Sequence, residues 1–182
     1  MANVAIRKPA LAGRLGDSAT VRLTTAPAAS RVALRAPGES LAALSSALGL
    51  SLPDAPKTSG RQGARSALWI GPDEWLVIDE AGADLMAALS GAGTLHSATD
   101  VSHRNVAIIV SGPGAEATLS AGCPQDLSLS SFPIGAASRT VFGKAEIVLF
   151  RTEEDAFRVE CWRSFSDYVF GLLNEAAEDA GH

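Results

Sequence analysis

The fold of this chain is decided by residues 99–163, which read TDVSHRNVAIIVSGPGAEATLSAGCPQDLSLSSFPIGAASRTVFGKAEIVLFRTEEDAFRVECWR. Apolar runs separated by turn residues predict strands at residues 106–110, 139–142, 146–151 and 157–162. The charged turn TEED joins the last two strands, as in a hairpin whose tip stays in water. This stretch therefore predicts a sheet built mainly from antiparallel strands.

The flanking regions add further strands and helices in irregular alternation. Strands are predicted at residues 31–36, 65–70 and 75–79, and helices at residues 41–48, 82–90 and 165–176. Another short helix is predicted to follow Ser111. Ser40 and Ser111 are predicted N-caps, and Ser164 with Asp167 resembles a capping box. Hairpins mixed with single helical crossovers predict the α+β class, with mostly antiparallel sheets and packed helices.

The length of the chain limits its domain organisation. With 182 residues, 47% of them hydrophobic, it is long enough for one sizeable core, so a disordered protein is excluded. Residues 1–19 have no clear hydrophobic period and are predicted to be an N-terminal arm. Residues 20–182 are predicted to be a single domain, or two interleaved α+β units at about residues 20–98 and 99–182.

Charge and hydropathy exclude several classes of partner. The net charge of −5 argues against a nucleic-acid partner, because neutralising phosphates needs a basic face. No stretch approaches the roughly 18 consecutive apolar residues that span a bilayer, and no signal peptide is recognisable. Cys123 and Cys161 lack metal-ligand spacing and are predicted to be reduced, buried thiols of a cytoplasmic protein.

Only 19% of the residues are charged, which is below the usual quarter. A surface that is buried against a partner explains this composition, and so does a GC-rich coding bias. Composition alone leaves both explanations open.

Two local patterns suggest chemistry but have simpler explanations. Asp100, Ser102 and His103 supply the residue types of a hydrolytic triad, yet neighbours on an extended chain point to alternating sides. Asp100 is therefore predicted to bind backbone N–H groups in a turn. Residues 111–114, SGPG, lack the Walker pattern of a phosphate-binding loop and are predicted to form a tight turn from a strand into a helix. No metal-ligand spacing is present.

The predicted strand at residues 157–162 has a polar face. Alternation places Arg158, Glu160 and Trp162 on one face, opposite the apolar side chains. A solvent-exposed face with an ion pair explains this pattern. A subunit interface explains it equally well, because Arg and Trp are enriched at interface hot spots. The candidate interface residues are Arg151, Arg158, Glu160, Trp162 and Arg163.

Several motifs carry a resemblance to a known superfamily. Residues 100–104, DVSHR, and 111–116, SGPGAE, resemble the Asp-Leu-Ser-His and Ser-Gly-Pro-Asp-Ala stretches of the folate-binding aminomethyltransferases. A narrower resemblance, to the gamma subunit of heterotetrameric sarcosine oxidase, extends from about residue 67 to the C-terminal helix. It rests on LWIGPDEWL at 68–76, AGCPQDL at 121–127, FPIG at 132–135, RTVFGKAEI at 139–147 and WRSF at 162–165.

This resemblance implies two intertwined units with the aminomethyltransferase-like folate-binding fold. It also implies a small, non-catalytic structural subunit of an oxidase that demethylates sarcosine to glycine. The implied partners are large flavin-containing alpha and beta subunits and a small delta subunit. FAD, FMN, NAD and tetrahydrofolate, which accepts the one-carbon unit, are then expected in those partner subunits, with no cofactor in this chain.

Residue 145 departs from the pattern of the active enzymes. In aminomethyltransferases an acidic pair precedes the strand that residues 147–150 would occupy, and its Asp contacts folate. The corresponding residues here are Ala145 and Glu146. A stand-alone folate-binding protein, the gamma chain of a related N-methyl amino acid oxidase or dehydrogenase, and a cofactor-free hydrolase using His103 are the alternatives.

Overall fold

The computed structural model describes residues 10–180, which form eleven strands and four α-helices. The strands are β1 (Leu15–Asp17), β2 (Arg22–Thr25), β3 (Ser30–Arg35), β4 (Ser59–Gln62), β5 (Arg65–Gly71), β6 (Glu74–Asp79), β7 (Ser97–Asp100), β8 (Asn105–Ser111), β9 (Ala137–Phe142), β10 (Ala145–Glu153) and β11 (Ala156–Trp162). The helices are α1 (Leu41–Leu48), α2 (Leu85–Ser90), α3 (Ala115–Ser120) and α4 (Ser166–Asp179). No helix of this part of the chain is long and apolar enough to cross a membrane.

The strands form two antiparallel sheets that are intertwined in sequence. One sheet has six strands in the order β1-β2-β8-β11-β10-β9, and the other has five in the order β4-β5-β6-β3-β7. The chain starts in the six-stranded sheet, builds the whole five-stranded sheet, and then returns through β8 to complete the first. The predicted α+β class with mostly antiparallel sheets is confirmed.

Apolar side chains pack in three layers. The six-stranded sheet packs its outer face on α3 and α4, through a core that includes Leu23, Ile108, Leu149, Val159 and Leu173. The five-stranded sheet packs on α1 and α2, through Val32, Leu34, Leu44, Trp75 and Leu89 among others. Between the inner faces of the sheets lie Leu68, Leu76, Ile78, Val148 and Phe150. Both faces of each sheet are therefore at least partly buried.

Four short strands have no counterpart in the sequence-based predictions. β1, β2, β4 and β7 contain three or four residues each. Three of them, β1, β4 and β7, lie at sheet edges, where small and polar residues replace the alternation of a buried strand. β1 falls within the predicted arm, whose residues 1–9 lie outside the described residues. The division into an arm and interleaved units stays a prediction.

Three predicted helix caps are wrong. The Ser40 hydroxyl donates to the carbonyl oxygen of Leu95 at 2.8 Å and makes no cap hydrogen bond to α1. Ser111 is the last residue of β8, and α3 begins four residues later. α4 has no side-chain cap, and Asp167 pairs instead with Arg14 at 2.8 Å. Ser40 and Asp167 therefore each bind a residue that is distant in sequence instead of capping a helix.

Two glycines shape the turn from β8 into α3. Gly112 has a φ of +112°, and a Cβ at this position would overlap the carbonyl oxygen of Thr20. A Cβ at Gly114 would lie 2.8 Å from Cγ2 of Val21, and the Gly114 N–H donates to the Thr20 carbonyl at 3.1 Å. The predicted tight turn is confirmed. Glycine is required because the segment leading into β2 packs directly against this turn.

Replacing Gly112 with Ala will lower the free energy of unfolding by roughly 1–3 kcal/mol, because the variant combines an unfavourable φ with a backbone overlap. Gly91→Ala is the matched control, since Gly91 has a φ of −87° and a methyl group there would have no atom within 4 Å. Urea denaturation of both variants measures the difference. Equal stability of the two would contradict this account of the turn.

Candidate functional site: a buried ion-pair chain and an aromatic surface

The polar face of β11 lies inside the protein, between the two sheets. Arg158 and Glu160 are 4% and 1% exposed. Their apolar neighbours in sequence, Phe157 and Val159, belong to the core beneath α3 and α4. Alternation along β11 is therefore as predicted, but the face that carries the charges is covered by the five-stranded sheet.

Four charged side chains form a continuous ion-pair chain across this space. Arg31 Nε donates to Glu160 Oε2 at 2.8 Å, and Arg158 Nε donates to Glu160 Oε1, also at 2.8 Å. Arg158 Nη1 then donates to Glu80 Oε1 at 2.6 Å. Arg31 belongs to β3 and Glu80 directly follows β6, whereas Arg158 and Glu160 belong to β11. The ion-pair chain thus joins the two sheets.

Glu160 is the centre of the ion-pair chain. Its side chain is fully buried, and each carboxylate oxygen accepts a hydrogen bond from a different arginine. A buried carboxylate is tolerated only when it is paired and its oxygens are hydrogen-bonded. The Glu80 side chain, by contrast, is 52% exposed, so the ion-pair chain reaches solvent at that end.

Arg151 is buried at another place, beneath the loop that precedes β9. Its side chain is 2% exposed, and its guanidinium donates to the carbonyl oxygens of Leu127 and Phe132 at 2.7 and 3.0 Å. The same group donates twice to the carbonyl of Glu154 and lies 4.6 Å from the ring centroid of Phe157. Arg151 therefore holds the loop against the β10–β11 hairpin.

These positions correct the list of candidate interface residues. Arg151, Arg158 and Glu160 are occupied by contacts within the chain, so their side chains offer no surface to a partner. The polar face seemed accessible because a single sequence does not reveal which element covers it. Trp162 and Arg163 are exposed, and their role in an interface stays a prediction.

Trp162 and Phe165 form an aromatic surface, and Tyr168 follows three residues later in the sequence. These side chains are 41%, 44% and 40% exposed. The rings of Trp162 and Phe165 are 6.3 Å apart, and the Arg104 guanidinium lies 5.1 Å from the centroid of Trp162. Phe165 and Tyr168 follow the apolar helical period of residues 165–176, but both side chains are partly exposed. Phe165 directly precedes α4, and the Tyr168 hydroxyl accepts a hydrogen bond from the Lys144 backbone N–H at 3.2 Å, in the turn between β9 and β10.

A cleft of about 420 Å³ is lined by residues of β2, β3, β8 and their connections and by Arg163. One wall is the crossover from β2 to β3, residues 26–29, and the other contains His103 and Arg163. Ala107 and Arg31 lie in its floor and are 1% and 3% exposed. Arg163, which lines this cleft, directly follows Trp162 in the sequence.

Asp100 and Ser102 have structural roles at the start of the β7–β8 connection. Asp100 accepts a hydrogen bond from the Ser102 backbone N–H at 2.8 Å, as predicted. Hydrogen bonds from Ser102 lower the pKa of Asp100 below its usual value. The Ser102 hydroxyl accepts from the backbone N–H of Arg31 at 2.9 Å. Both side chains therefore help to hold β7 beside β3.

The two cysteines and residue 145 offer no reactive group. Cys123 and Cys161 are free and buried, as predicted, and burial raises the pKa of the Cys161 thiol to about 12. Ala145 is 1% exposed and faces the core beneath the helices. Among residues 10–180, no group of three or more His, Cys, Asp or Glu side chains is placed to hold a metal ion.

Replacing Glu160 with Gln will lower the free energy of unfolding by about 3–5 kcal/mol, because it leaves the buried Arg31 without a counter-charge and leaves Arg158 with only the half-exposed Glu80. Asp73→Asn is the control, since Asp73 pairs with Arg35 at 3.5 Å where both side chains are more than half exposed. That change should cost at most about 1 kcal/mol. Chemical denaturation measures both, and similar losses would contradict the central role of Glu160.

Comparison with known proteins shows the family of this chain. The model of the sarcosine oxidase, gamma subunit family matches residues 35–179. The chain is 32% identical to sarcosine oxidase subunit gamma of Corynebacterium sp. (strain P-1), over 88% of this chain and 81% of that protein. It is 34% identical to the subunit gamma of an Arthrobacter species, over 81% of this chain and 75% of that protein.

Solved structures agree with these relatives. This chain matches a chain of the heterotetrameric sarcosine oxidase from Corynebacterium sp. U-96, solved in complex with pyrrole 2-carboxylate. The TM-score is 0.85 and the sequence identity is 28%, and the match covers 95% of this chain and 91% of that one. Aminomethyltransferase T of the Bartonella henselae glycine cleavage system matches with a TM-score of 0.64 and 16% identity, over 88% and 50%, a likeness of fold alone. The protein described here therefore belongs to the sarcosine oxidase gamma subunit family.

Proposed function

We propose that this chain is a structural subunit of a heterotetrameric sarcosine oxidase. The observation that carries the proposal is the match, over 95% of this chain, to a chain of the solved Corynebacterium heterotetramer. A subunit of such a complex needs surfaces that pack on other chains. The low charge content of 19% and three partly exposed aromatic rings on one short segment fit that requirement.

The partners in this proposal are large flavin-containing alpha and beta subunits and a small delta subunit. FAD, FMN, NAD and tetrahydrofolate bind to the partner subunits, which carry out the oxidative demethylation of sarcosine and the transfer of the one-carbon unit. The complex works in the cytoplasm. Two free, buried cysteines are consistent with that compartment.

The chain contributes no catalytic residue in this proposal. The Asp100 carboxylate and Ser102 hydroxyl, which the sequence places beside His103, are hydrogen-bonded within the fold. At position 145, where active aminomethyltransferases are expected to have an acid of the folate site, a buried alanine contributes to the core. Both features favour a structural role.

The aromatic surface is the docking site for a large subunit in this proposal. Trp162 combines a partly exposed ring with a stacked cation from Arg104. Tryptophan, tyrosine and arginine are the residue types most enriched at interface hot spots. The ring of Trp162 is also oriented in advance by Phe165 and Arg104, which reduces the entropy lost on binding.

Truncating Trp162 and Phe165 together to Ala will weaken binding to the large subunits by about tenfold or more. Leu95→Ala is the control, because Leu95 is 75% exposed but lies on the five-stranded unit. Co-expression with the large subunits followed by size-exclusion chromatography measures the bound fraction. A wild-type chain that elutes as a well-behaved monomer in the presence of its partners would contradict the proposed function.

A further inference from the structure

We propose that the cleft of about 420 Å³ between the β2–β3 crossover and His103 is the docking site of the chain's own N-terminal segment, residues 1–9. This segment reads MANVAIRKP and lies outside the described residues. The inference concerns this chain alone. It therefore goes beyond the proposed function and does not depend on it.

The covalent connection at Ala10 carries the proposal. Ala10 is the first described residue, and it lines the cleft. Leu11, the next residue, is 7% exposed in the core beneath the helices, and its carbonyl oxygen accepts from the Thr25 hydroxyl at 3.4 Å. The chain is thus anchored beside the cleft. Because consecutive Cα atoms are about 3.8 Å apart, the N-terminal segment starts within one residue's length of this lining.

The lining of the cleft and the sequence of the segment match in chemistry. Most lining side chains are small and apolar, and they include Ala26, Pro27, Ala28, Val106 and Ala107. In the segment, four of the five residues of the stretch ANVAI at 2–6 are apolar. Small lining side chains leave room for the branched side chains of Val4 and Ile6. Packing these side chains in the cleft removes apolar surface from water on both sides.

The length of the segment suits the cleft. An extended chain covers at most about 3.3–3.6 Å per residue, so Ile6 can lie up to about 14 Å from Ala10. That reach allows Ile6 and Val4 to enter the cleft. Arg7 and Lys8 lie between this stretch and Ala10 in the sequence, and their long stems allow the charged groups to stay in water at the edge.

Tethering favours this segment over a peptide of another chain. A short linker gives a tethered segment an effective concentration in the millimolar range, whereas a separate partner must also lose its translational freedom on binding. The floor is preformed, because the Arg31 guanidinium is held by Glu160 at 2.8 Å and by the Ala29 carbonyl at 3.1 Å. Modest apolar complementarity is therefore sufficient for the segment to occupy the cleft.

Paired substitutions in the full-length chain test the apolar contact. Replacing Val4 and Ile6 together with Ser should lower the midpoint of thermal unfolding by about 4 °C or more, because two apolar side chains no longer leave water. Replacing Arg7 and Lys8 together with Gln is the matched control. It changes the same segment without removing an apolar side chain, so its midpoint should match the wild type. Equal midpoints for the two double variants would overturn the inference.

Disulfide cross-linking tests the location of the segment. Ala28, exposed in the wall of the cleft, is replaced with Cys and combined with Val4→Cys or Ile6→Cys. A disulfide requires the two Cα atoms to approach within about 7 Å, and the two native cysteines are buried. Leu95→Cys combined with the same segment cysteines is the control, because Leu95 is 75% exposed and lies between α2 and β7. At least one Ala28 pair should form an intramolecular disulfide about tenfold faster than its control.

Three further outcomes would contradict the proposal. Equal oxidation rates for the Ala28 and Leu95 pairs would mean that the segment does not stay at the cleft. Disulfide-linked dimers would mean that it enters the cleft of a second copy. A loss of stability in the serine variant without a cross-link to Ala28 would mean that it packs elsewhere on the fold. All of these measurements use the chain without its partners, so they are independent of the assembly experiment that tests the proposed function.

Discussion

The two sheets face each other around one buried carboxylate. Glu160 on β11 has no exposed side-chain surface, and it is shared by Arg158 on the same strand and Arg31 on the opposite sheet. None of these charges is stable in the interior alone, because removing an ion from water is costly unless a counter-ion and hydrogen bonds replace the lost solvent. The two sheets must therefore be positioned so that Arg31 on one sheet reaches the Glu160 carboxylate on the other.

The carboxylate also fixes the register of β11. A slip by one residue would turn Arg158 and Glu160 toward the helices and would turn Phe157 and Val159 toward the charges. The apolar contacts between the sheets favour close packing but tolerate small shifts. The ion pairs are directional, because each oxygen of Glu160 accepts from a particular nitrogen. Between the two sheets, apolar packing thus favours close contact, whereas the ion pairs fix the register of β11.

Local sequence predicted much of the secondary structure and little of what covers it. The long apolar strands, the hairpin between β5 and β6 and the glycine turn after β8 follow from residue types alone. The alternation along β11 was also readable. Its environment was not, because the residues that cover Arg158 and Glu160 come from β3 and from Glu80, far away in the sequence. The exposure of a side chain therefore depends on which other layers of the fold pack against it.

The same reason explains the misplaced aromatic residues and the missed edge strands. Phe165 and Tyr168 have the period of a buried helix face, but both side chains are partly exposed near the start of α4. β1, β4 and β7 are short and polar, so only pairing with a neighbour makes them strands. The motifs around Gly112 were recognisable by family. The physical reason for the glycine, contact with Thr20, appears only in three dimensions.

The interleaved order of the sheets has a consequence for synthesis on the ribosome. β2 pairs with β8, so the backbone of Arg22 has no hydrogen-bonding partner on that side until Ser111 has been synthesised. Translation at about 5–20 residues per second leaves this strand without its partner for several seconds. The apolar Leu23, fully buried in the finished protein, stays accessible during that time. The six-stranded sheet therefore cannot close around Leu23 until the second half of the chain has been made.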